Sequence, residues 1–391
     1  MKPRRSRWLV PIAFLAFVSL GLPDAVTGVA WPSLRRSFDL PIDRLGVLLL
    51  AGMAGYLASS FGSGAAVARL GVGRLLLWSS LAVAASALAW SVSPFWPVVV
   101  AAAVVSGLGA GAIDAGINAF AAARFPPRIV AWLHASWGLG AMTGPILMTA
   151  ALTGGLGWRG GYALLGAVLM VMSACFRLTL RWWDEPGAIP SELPAPPSPP
   201  PLSGMRESLR HPRVRTNLAL FFLYTGVEAS AGQWAMSLLT ESRGVAAGAA
   251  GAAVAGYWGS LFLGRLTFGI LAHHVAPSTL LRLGTGLAPV AALVVALSKA
   301  SPAAGAAGLL ALGFLLAPIF PLLISETPAR VGPSRAAHAI GFQISAATLG
   351  AGTWPAAVGL VAGRAGLEAI SPVLVGGALA VFALHEWARR R

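Results

Sequence analysis

The chain has 391 residues, of which 57% are hydrophobic and 10% are charged, and its mean hydropathy is +0.75. Soluble domains carry about 25% charged residues, so this composition excludes an ordinary soluble protein. The formal net charge of +15 comes from short basic clusters at the ends of apolar runs, a pattern that argues against nucleic-acid binding and is typical of a multi-pass membrane protein.

Breaks at charged residues, proline and glycine divide the sequence into twelve apolar segments. A helix needs about 20 residues to cross the hydrocarbon core of a bilayer, and each segment is close to or above that length. In chain order the predicted segments are 8–34, 43–68, 75–92, 95–123, 129–154, 158–180, 216–240, 246–271, 279–297, 302–325, 336–363 and 367–387. The sequence therefore predicts an all-α integral membrane protein with twelve transmembrane helices in two six-helix bundles.

The predicted bundles occupy residues 1–182 and 215–391, and the linker between them occupies 183–214. Eight prolines fall between 186 and 201. Because so many prolines are incompatible with helix or sheet, we predict a semi-rigid, solvated linker there.

The distribution of Lys and Arg predicts the orientation in the membrane. With the N-terminus inside, 21 of the 28 basic residues fall in inside segments, so both termini and the linker are predicted to be cytoplasmic. The basic residues before the first segment also fit a signal peptide, but the long apolar run and the similar segments after it favour a retained first helix. We expect a multi-pass protein of the bacterial inner membrane.

Three carboxylates, Asp24, Asp114 and Glu228, lie in the middle of segments that hold no other charged residue. A charge at the centre of a bilayer costs roughly 2.5–3.5 kcal/mol, so such residues occur where they line a polar pathway, form a pair or exchange protons. Burial favours the neutral form of a carboxyl group, which suits a proton carrier. The alternative for each is a hydrogen bond that serves helix packing alone.

The neighbours of two of these acids add to the functional interpretation. Asp24 follows Pro23, which removes a backbone hydrogen bond and predicts a kink in the first helix. Asp114 and Asn118 are four residues apart and share a helix face, so an ionisable group and an amide lie side by side. We predict that the three acids couple the protein to protons.

Further polar and aromatic residues on these and other segments are candidates for contact with a solute, each with a structural role as its alternative. The predicted solute-binding residues are Asn118, His134, Gln233, Trp234, Trp258 and Gln343. We expect no arginine or lysine deep in any segment, which favours neutral or cationic solutes. The chain has no Walker A motif, so we expect no transport driven by ATP by that route, and it has no paired His and Cys ligands for a metal. We expect a protein that is not an enzyme, with no cofactor other than a coupling proton or sodium ion.

The two halves of the sequence repeat each other. Residues 140–145, with Gly140, Gly144 and Pro145, match residues 350–355 at an offset of 210, and Asp24 and Glu228 lie 204 residues apart. Parallel repeats of six helices with a binding site at their interface are one architecture of secondary transporters. Chance similarity between helices rich in Gly and Ala is the alternative.

Twelve segments, a cytoplasmic linker and parallel halves resemble the major facilitator superfamily. The loop from Gly64 to Arg74 is similar to the family's signature between its second and third helices, with Ala68 where the family has Asp. Residues 107–118, 224–234 and 257–265 are similar to the fucose–proton symporter and sodium-dependent glucose transporter branch. This resemblance implies that Asp24 and Asp114 carry the proton and contact sugar, with Asp114 in place of a Glu.

The sequence thus predicts a secondary transporter that moves a small neutral polar solute, a sugar by resemblance, with protons by alternating access. The alternative is a proton-driven exporter of cationic drugs, because Gly140 to Pro145 also resembles an antiporter motif, although Leu147 and Met148 depart from it. A membrane sensor or assembly factor without transport is a third possibility. The partners we expect are a small-molecule substrate and the lipid bilayer, with no nucleic acid, and we expect a monomer.

Overall fold

The computed structural model describes residues 3–183 and 202–390, and in these two ranges every regular element is a helix. This finding confirms the all-α prediction. The prolines at 186–201, on which the linker prediction depends, lie outside the described residues.

The described residues form two compact units. Residues 3–40 and 47–183 form the first unit, and residues 41–46 and 202–390 form the second. The helices that lie wholly or mainly in the first unit are α1 (Pro3–Asp24), α2 (Val26–Ser37), α3 (Leu45–Leu70), α4 (Val72–Val92), α5 (Trp96–Arg124), α6 (Pro127–Thr153) and α7 (Gly157–Trp183). Those of the second unit are α8 (Leu202–Arg210), α9 (Pro212–Ser237), α10 (Ala247–Leu271), α11 (Pro277–Leu297), α12 (Pro302–Leu316), α13 (Ile319–Val331), α14 (Pro333–Ala365) and α15 (Ile370–Arg389).

In this part of the chain, nine helical segments are long and apolar enough to cross a membrane. One of them joins α1 and α2, and another joins α12 and α13. Together with α6, α9 and α10, the nine segments correspond to the twelve predicted crossings. The interruption between α1 and α2 falls at Ala25, directly after Asp24, which is where Pro23 predicts a kink.

Proline and glycine set many of the helix boundaries. Helices α5, α6, α9, α11, α12 and α14 have proline in their first turn, where the missing amide hydrogen costs no helical hydrogen bond. Helices α3, α13 and α14 each stop at a glycine with positive φ, at Gly71 (76°), Gly332 (86°) and Gly366 (85°). Glycine adopts this conformation without the steric cost of a side chain.

Helix α8 lies in the region that the sequence analysis assigns to the linker. It begins after Pro201, the last proline of the cluster, and its Glu207 forms an ion pair of 2.7 Å with Arg335 at the start of α14. The residues of α8 include good helix formers such as Leu, Met, Arg and Glu. Residues 202–210 are therefore helical, whereas the prediction continued a semi-rigid, solvated linker without helix or sheet to 214.

The internal repeat is visible as one helix contact that occurs in both units. Helix α6 packs against α1 in the first unit, and α14 packs against α9 in the second. Gly140 of α6 lies against the carbonyl oxygen of Val18, and Gly350 of α14 lies against the carbonyl oxygen of Phe222. The two carbonyls are 204 residues apart and the two glycines 210, which are the offsets found in the sequence.

One turn further along this contact, the small residue changes sides. Gly144 of α6 lies against the backbone of Leu22 on α1. At the equivalent place in the second unit the glycine is Gly226 on α9, and the side chain of Trp354 from α14 packs on it. Because one partner is always glycine, both helix pairs approach closely although the residues have been exchanged.

An ion pair links the 3-10 turn before α15 (Leu367–Ala369) to the segment that follows α9. Arg243 comes directly after a π-helical turn, and its guanidinium group binds the carboxylate of Glu368 twice, at 2.9 Å (Nε to Oε1) and 3.0 Å (Nη2 to Oε2). The Arg243 side chain is only 2% exposed. Such a bidentate pair fixes the geometry of both groups.

We predict that Gly350→Ala destabilises the protein more than Gly341→Ala does. A Cβ atom at Gly350 would overlap the carbonyl oxygen of Phe222, whereas nothing lies within 4 Å of one at Gly341 on the same helix. Overpacking of this kind costs about 1–3 kcal/mol, because backbone atoms cannot move aside as a side chain can. The measurement is the midpoint of thermal unfolding of the purified variants, and equal midpoints for the two would contradict the packing described above.

Candidate functional site

Glycines on α5 bring the third helix close to Asp114. Gly107 lies against the backbone of Gly52, and Gly111 lies against the carbonyl oxygen of Tyr56, both on α3. Because these contacts involve backbone atoms, the two helices are close enough for the Tyr56 side chain to reach across to Asp114. The glycines that the sequence shows beside Asp114 thus serve to position its partner.

Asp114 is half-buried and forms hydrogen bonds with two neutral side chains. The Tyr56 hydroxyl donates to Oδ2 at 2.5 Å, and Nδ2 of Asn118 donates to Oδ1 at 2.9 Å. The Asn118 amide also donates to the backbone oxygen of Asp114 at 2.9 Å. The predicted pairing of Asp114 with Asn118 on one helix face is confirmed, and Tyr56 is an additional member of the site.

Asp24 lies at the contact between α1 and α6. Gly21 packs against the carbonyl oxygen of Trp137, and one turn later the Trp137 indole donates from Nε1 to Oδ2 of Asp24 at 2.9 Å. Asp24 itself is exposed, and Trp137 is half-buried. The first unit therefore holds two membrane acids, each with a neutral hydrogen-bond donor from a neighbouring helix.

His134 lies one turn before Trp137 on α6. It is exposed, and its ring meets the ring of Phe17 from α1 edge-on, with 5.0 Å between the ring centres. At 100° per residue, His134 and Trp137 lie on the opposite side of α6 from the exposed apolar residues Leu139 and Ile146. His134 therefore has accessible surface on the same side of α6 as the partner of Asp24.

Glu228 on α9 is buried and is held mainly by tyrosines. The Tyr224 hydroxyl, one turn earlier, donates to Oε2, and the Tyr257 hydroxyl from α10 donates to the Glu228 backbone oxygen at 2.8 Å. The guanidinium group of Arg265, also on α10, lies 4.0 Å from Oε1 (Nη2 to Oε1). This corrects the expectation that no arginine lies deep in a segment, because Arg265 is in the predicted segment 246–271 and reaches a mid-helix acid.

The tyrosines of the two units occupy equivalent places. Tyr257 of α10 is 201 residues after Tyr56 of α3, and the carbonyl oxygen of each lies against a glycine of the facing helix, Gly313 and Gly111 respectively. Their hydroxyl groups nevertheless have different partners. Tyr56 binds a carboxylate on α5, whereas Tyr257 binds the backbone of Glu228 on α9.

The other predicted solute-binding residues of the second unit are buried. Trp234 has no exposed surface and donates to the backbone oxygen of Pro355 at 2.9 Å. Gln343 is also fully buried, and its amide exchanges hydrogen bonds with the hydroxyl of Thr327 at 2.9 and 3.1 Å. In this conformation both polar groups are satisfied between helices of the second unit.

Gln233 and Trp258 are buried as well, with 7% and 4% of their surfaces exposed. Trp258 lies over Gly232 of α9, where the missing side chain leaves room for the indole. Gly232 is one turn after Glu228 on the same helix, so Trp258 packs near this acid. The side chain of Arg265 is 19% exposed and that of Glu228 is 11% exposed.

Sequence reasoning missed Tyr56, Trp137 as a partner of Asp24, and Arg265. The spacing of four between Tyr224 and Glu228 was a usable signal, because residues four apart face each other on a helix. No comparable local signal links Asp114 to Tyr56, which are 58 residues apart. In the described parts of the chain, no three His, Cys, Asp or Glu side chains are grouped as a metal site would require.

Comparison with known proteins gives matches by family and by fold. A family profile described as Major Facilitator Superfamily matches residues 13–385. No curated protein matches the chain by sequence. Among solved structures, a bacterial homologue of the human lysosomal transporter Spinster, in an inward-facing and occupied conformation, has a TM-score of 0.77 and 14% identity. The match covers 100% of this chain and 98% of that one.

Two further solved structures are similar over nearly their whole length. A mutant of the nucleoside transporter NupG has a TM-score of 0.78 at 12% identity, covering 96% of this chain and 98% of its own. The transporter FucP, in an outward conformation, has a TM-score of 0.64 at 15% identity, covering 97% and 98%. At such identities these likenesses establish the fold, with twelve transmembrane helices in two pseudo-symmetric six-helix bundles. The family match over nearly the whole chain and this shared fold show that the chain belongs to the major facilitator superfamily, a family of multi-pass membrane transporters.

Proposed function

We propose that this protein is a proton-coupled secondary transporter of a small polar solute, a sugar in the first instance, and that it works by alternating access. The observation that carries the proposal is the pair of membrane acids in the first unit. Asp114 and Asp24 are both held by neutral hydrogen-bond donors from neighbouring helices. A carboxylate in such a setting is costly as an anion and becomes neutral when it takes up a proton.

Tyr56 suits Asp114 in both protonation states. A hydroxyl group donates a hydrogen bond to a carboxylate and accepts one from a protonated carboxyl group. The contact between Tyr56 and Asp114 can therefore persist while the proton is gained and lost. The Trp137 indole is a donor only, and both a carboxylate and a protonated carboxyl group have an oxygen lone pair that can accept its hydrogen bond.

The proposed solute class rests on resemblance and on the polar groups near the acids. Asn118 offers an amide beside Asp114, and His134 has accessible surface near Asp24. Two structures of similar fold are the transporter FucP and the nucleoside transporter NupG. Sugars and nucleosides both present several hydroxyl groups, which amide, imidazole and carboxylate groups bind through hydrogen bonds.

For its location, we propose the bacterial inner membrane with both termini and the linker in the cytoplasm. Support for this orientation is the excess of Lys and Arg in the segments that would then face inward, 21 of 28.

We expect Asp114→Asn to abolish the accumulation of solute that a proton gradient drives. The variant should still exchange solute across the membrane when no gradient is present. Asparagine cannot gain or lose a proton, but it keeps the size and hydrogen-bonding capacity of the side chain. The measurement uses proteoliposomes with an acid-outside gradient and labelled L-fucose, D-glucose and uridine, followed by exchange of the same compound without a gradient.

Accumulation by the Asp114→Asn variant would contradict proton coupling through this residue. A wild-type protein that expels a cationic dye in the same gradient and takes up none of the three compounds would contradict the uptake proposal. The complete absence of flux of any of these compounds would favour a protein that does not transport.

Tyr56→Phe should slow proton-driven uptake by about tenfold, since the lost hydrogen bond to a charged group is worth about 1.5 kcal/mol or more. The matched control is Tyr257→Phe, which removes the equivalent hydroxyl of the second unit but takes it from a backbone oxygen rather than from a carboxylate. Initial rates are measured at several pH values. Equal losses in the two variants, with the same pH profile, would show that Tyr56 acts only in packing.

A further inference from the structure

We propose that Arg265 is a binding group for the carboxylate of an acid-bearing solute such as a sugar acid, which takes the place of Glu228 beside the guanidinium group. This inference rests on the proposed transport function and narrows its solute class. It concerns the second unit alone, in which Arg265 and Glu228 lie on adjacent helices, α10 and α9.

The geometry of the Arg265–Glu228 pair differs from that of a locked ion pair. At 4.0 Å, Nη2 and Oε1 are beyond the 2.7–3.2 Å of an N–H···O hydrogen bond. In the same unit Arg243 grips Glu368 with two bonds of 2.9 and 3.0 Å. The Arg243 side chain is 2% exposed and that of Arg265 is 19% exposed. Arg243 therefore has the geometry of a structural clamp, whereas Arg265 is partly exposed and lies beyond hydrogen-bond distance of the Glu228 carboxylate.

Glu228 does not depend on Arg265 for its position. Its carboxylate accepts a hydrogen bond from Tyr224 on its own helix, and Tyr257 holds its backbone oxygen from α10. The Arg265 guanidinium is therefore not required to orient the acid. Arg265 and Glu228 instead compensate each other's charge. An isolated charge is costly inside a membrane-spanning segment.

The residue before Arg265 lies at a close contact of α10. Gly264 lies against the backbone of Phe314 and the methyl group of Ala317. The Arg265 side chain reaches toward α9, where Glu228 lies.

Charge balance selects a monocarboxylate as the solute group. The group that it displaces, the Glu228 carboxylate, has one negative charge, and a solute carboxylate restores that charge beside Arg265. A phosphate group has nearly two negative charges at neutral pH and would leave an excess in the membrane. The planar guanidinium group also matches a carboxylate with two parallel hydrogen bonds.

Once the solute carboxylate has replaced it beside Arg265, the Glu228 carboxylate has lost its counter-charge. It must then take up a proton to become neutral. The ionisable groups with a described interaction with Glu228 are Arg265 and Tyr257 from α10 and Tyr224 from α9. One carboxylate solute would then bind with one proton, so the charge of the second unit would not change.

The test compares D-glucuronate with D-glucose, which differ in one carboxylate. The purified full-length protein in lipid nanodiscs is titrated with each compound, and the rise of the thermal midpoint gives the dissociation constant. In the wild type we expect glucuronate to bind about tenfold more tightly than glucose, as one charge-assisted contact provides. Glu228→Gln, which mimics the neutral acid, should increase this ratio.

Arg265→Gln should bring the ratio to about one, and Arg265→Lys, which keeps the charge without the planar fork, should give an intermediate value. The matched control is Arg243→Gln, which should lower the starting midpoint but leave the ratio unchanged. If Arg265→Gln does not fold, Arg265→Lys is the deciding variant. An unchanged ratio of glucuronate to glucose binding in Arg265→Lys would contradict binding of the carboxylate by the planar guanidinium group.

The inference is overturned if glucuronate gives no stabilisation in the wild type, if it binds no better than glucose, or if Arg265→Gln keeps the wild-type ratio. Proton coupling through the first unit is judged separately, by the flux of the Asp114→Asn variant. If glucuronate does not bind at Arg265, the flux result for proton coupling is unaffected. If proton-driven flux is absent, the ratio of glucuronate to glucose binding can still be measured.

Discussion

A carboxyl group inside a bilayer must be hydrogen-bonded or neutralised, and this constraint determines what surrounds the three membrane acids. Asp114 and Asp24 each meet a neutral donor from another helix. Glu228 meets two tyrosines and, more distantly, the positive charge of Arg265. The same functional group is thus placed in two electrostatic settings. In the first the described hydrogen-bond donors are neutral, and in the second a guanidinium group lies 4.0 Å from the carboxylate.

These partners reach the acids because glycines let the helices approach closely. Gly111 of α5 lets the backbone of α3 approach at Tyr56. Gly21 of α1 lets the backbone of α6 approach at Trp137. A side chain at either glycine would move a helix and, with it, the donor group. The glycine pattern, which recurs throughout membrane proteins and has little meaning alone, is here what positions the site.

The sequence was sufficient for the twelve segments and the mid-segment acids, since these depend on local composition. It was also sufficient for the repeat offsets, since these follow from comparing the two halves of the sequence. It was insufficient for pairs between distant helices, because helices that are apolar on all sides carry no periodic signal of which face is buried. The prediction of Trp234 and Gln343 as binding residues therefore carries no information on burial, and the structure shows both fully enclosed. The proximity of Arg265 on α10 to Glu228 on α9 is likewise not visible in the sequence.

The repeat also shows where the two units have diverged. Gly111 and Gly313 are equivalent and lie 202 residues apart, so the counterpart of Asp114 is Leu316, and the second unit lacks an acid at that place. By the offset of 201 that relates α3 to α10, the counterpart of Arg265 is Gly64, which has no side chain. The first unit therefore has an acid where the second is apolar, and a glycine where the second has arginine. On the proposed function, this difference separates two tasks. The acids of the first unit would gain and lose protons. In the second unit a solute carboxylate would replace Glu228 beside Arg265, so that the net charge of this unit stays constant.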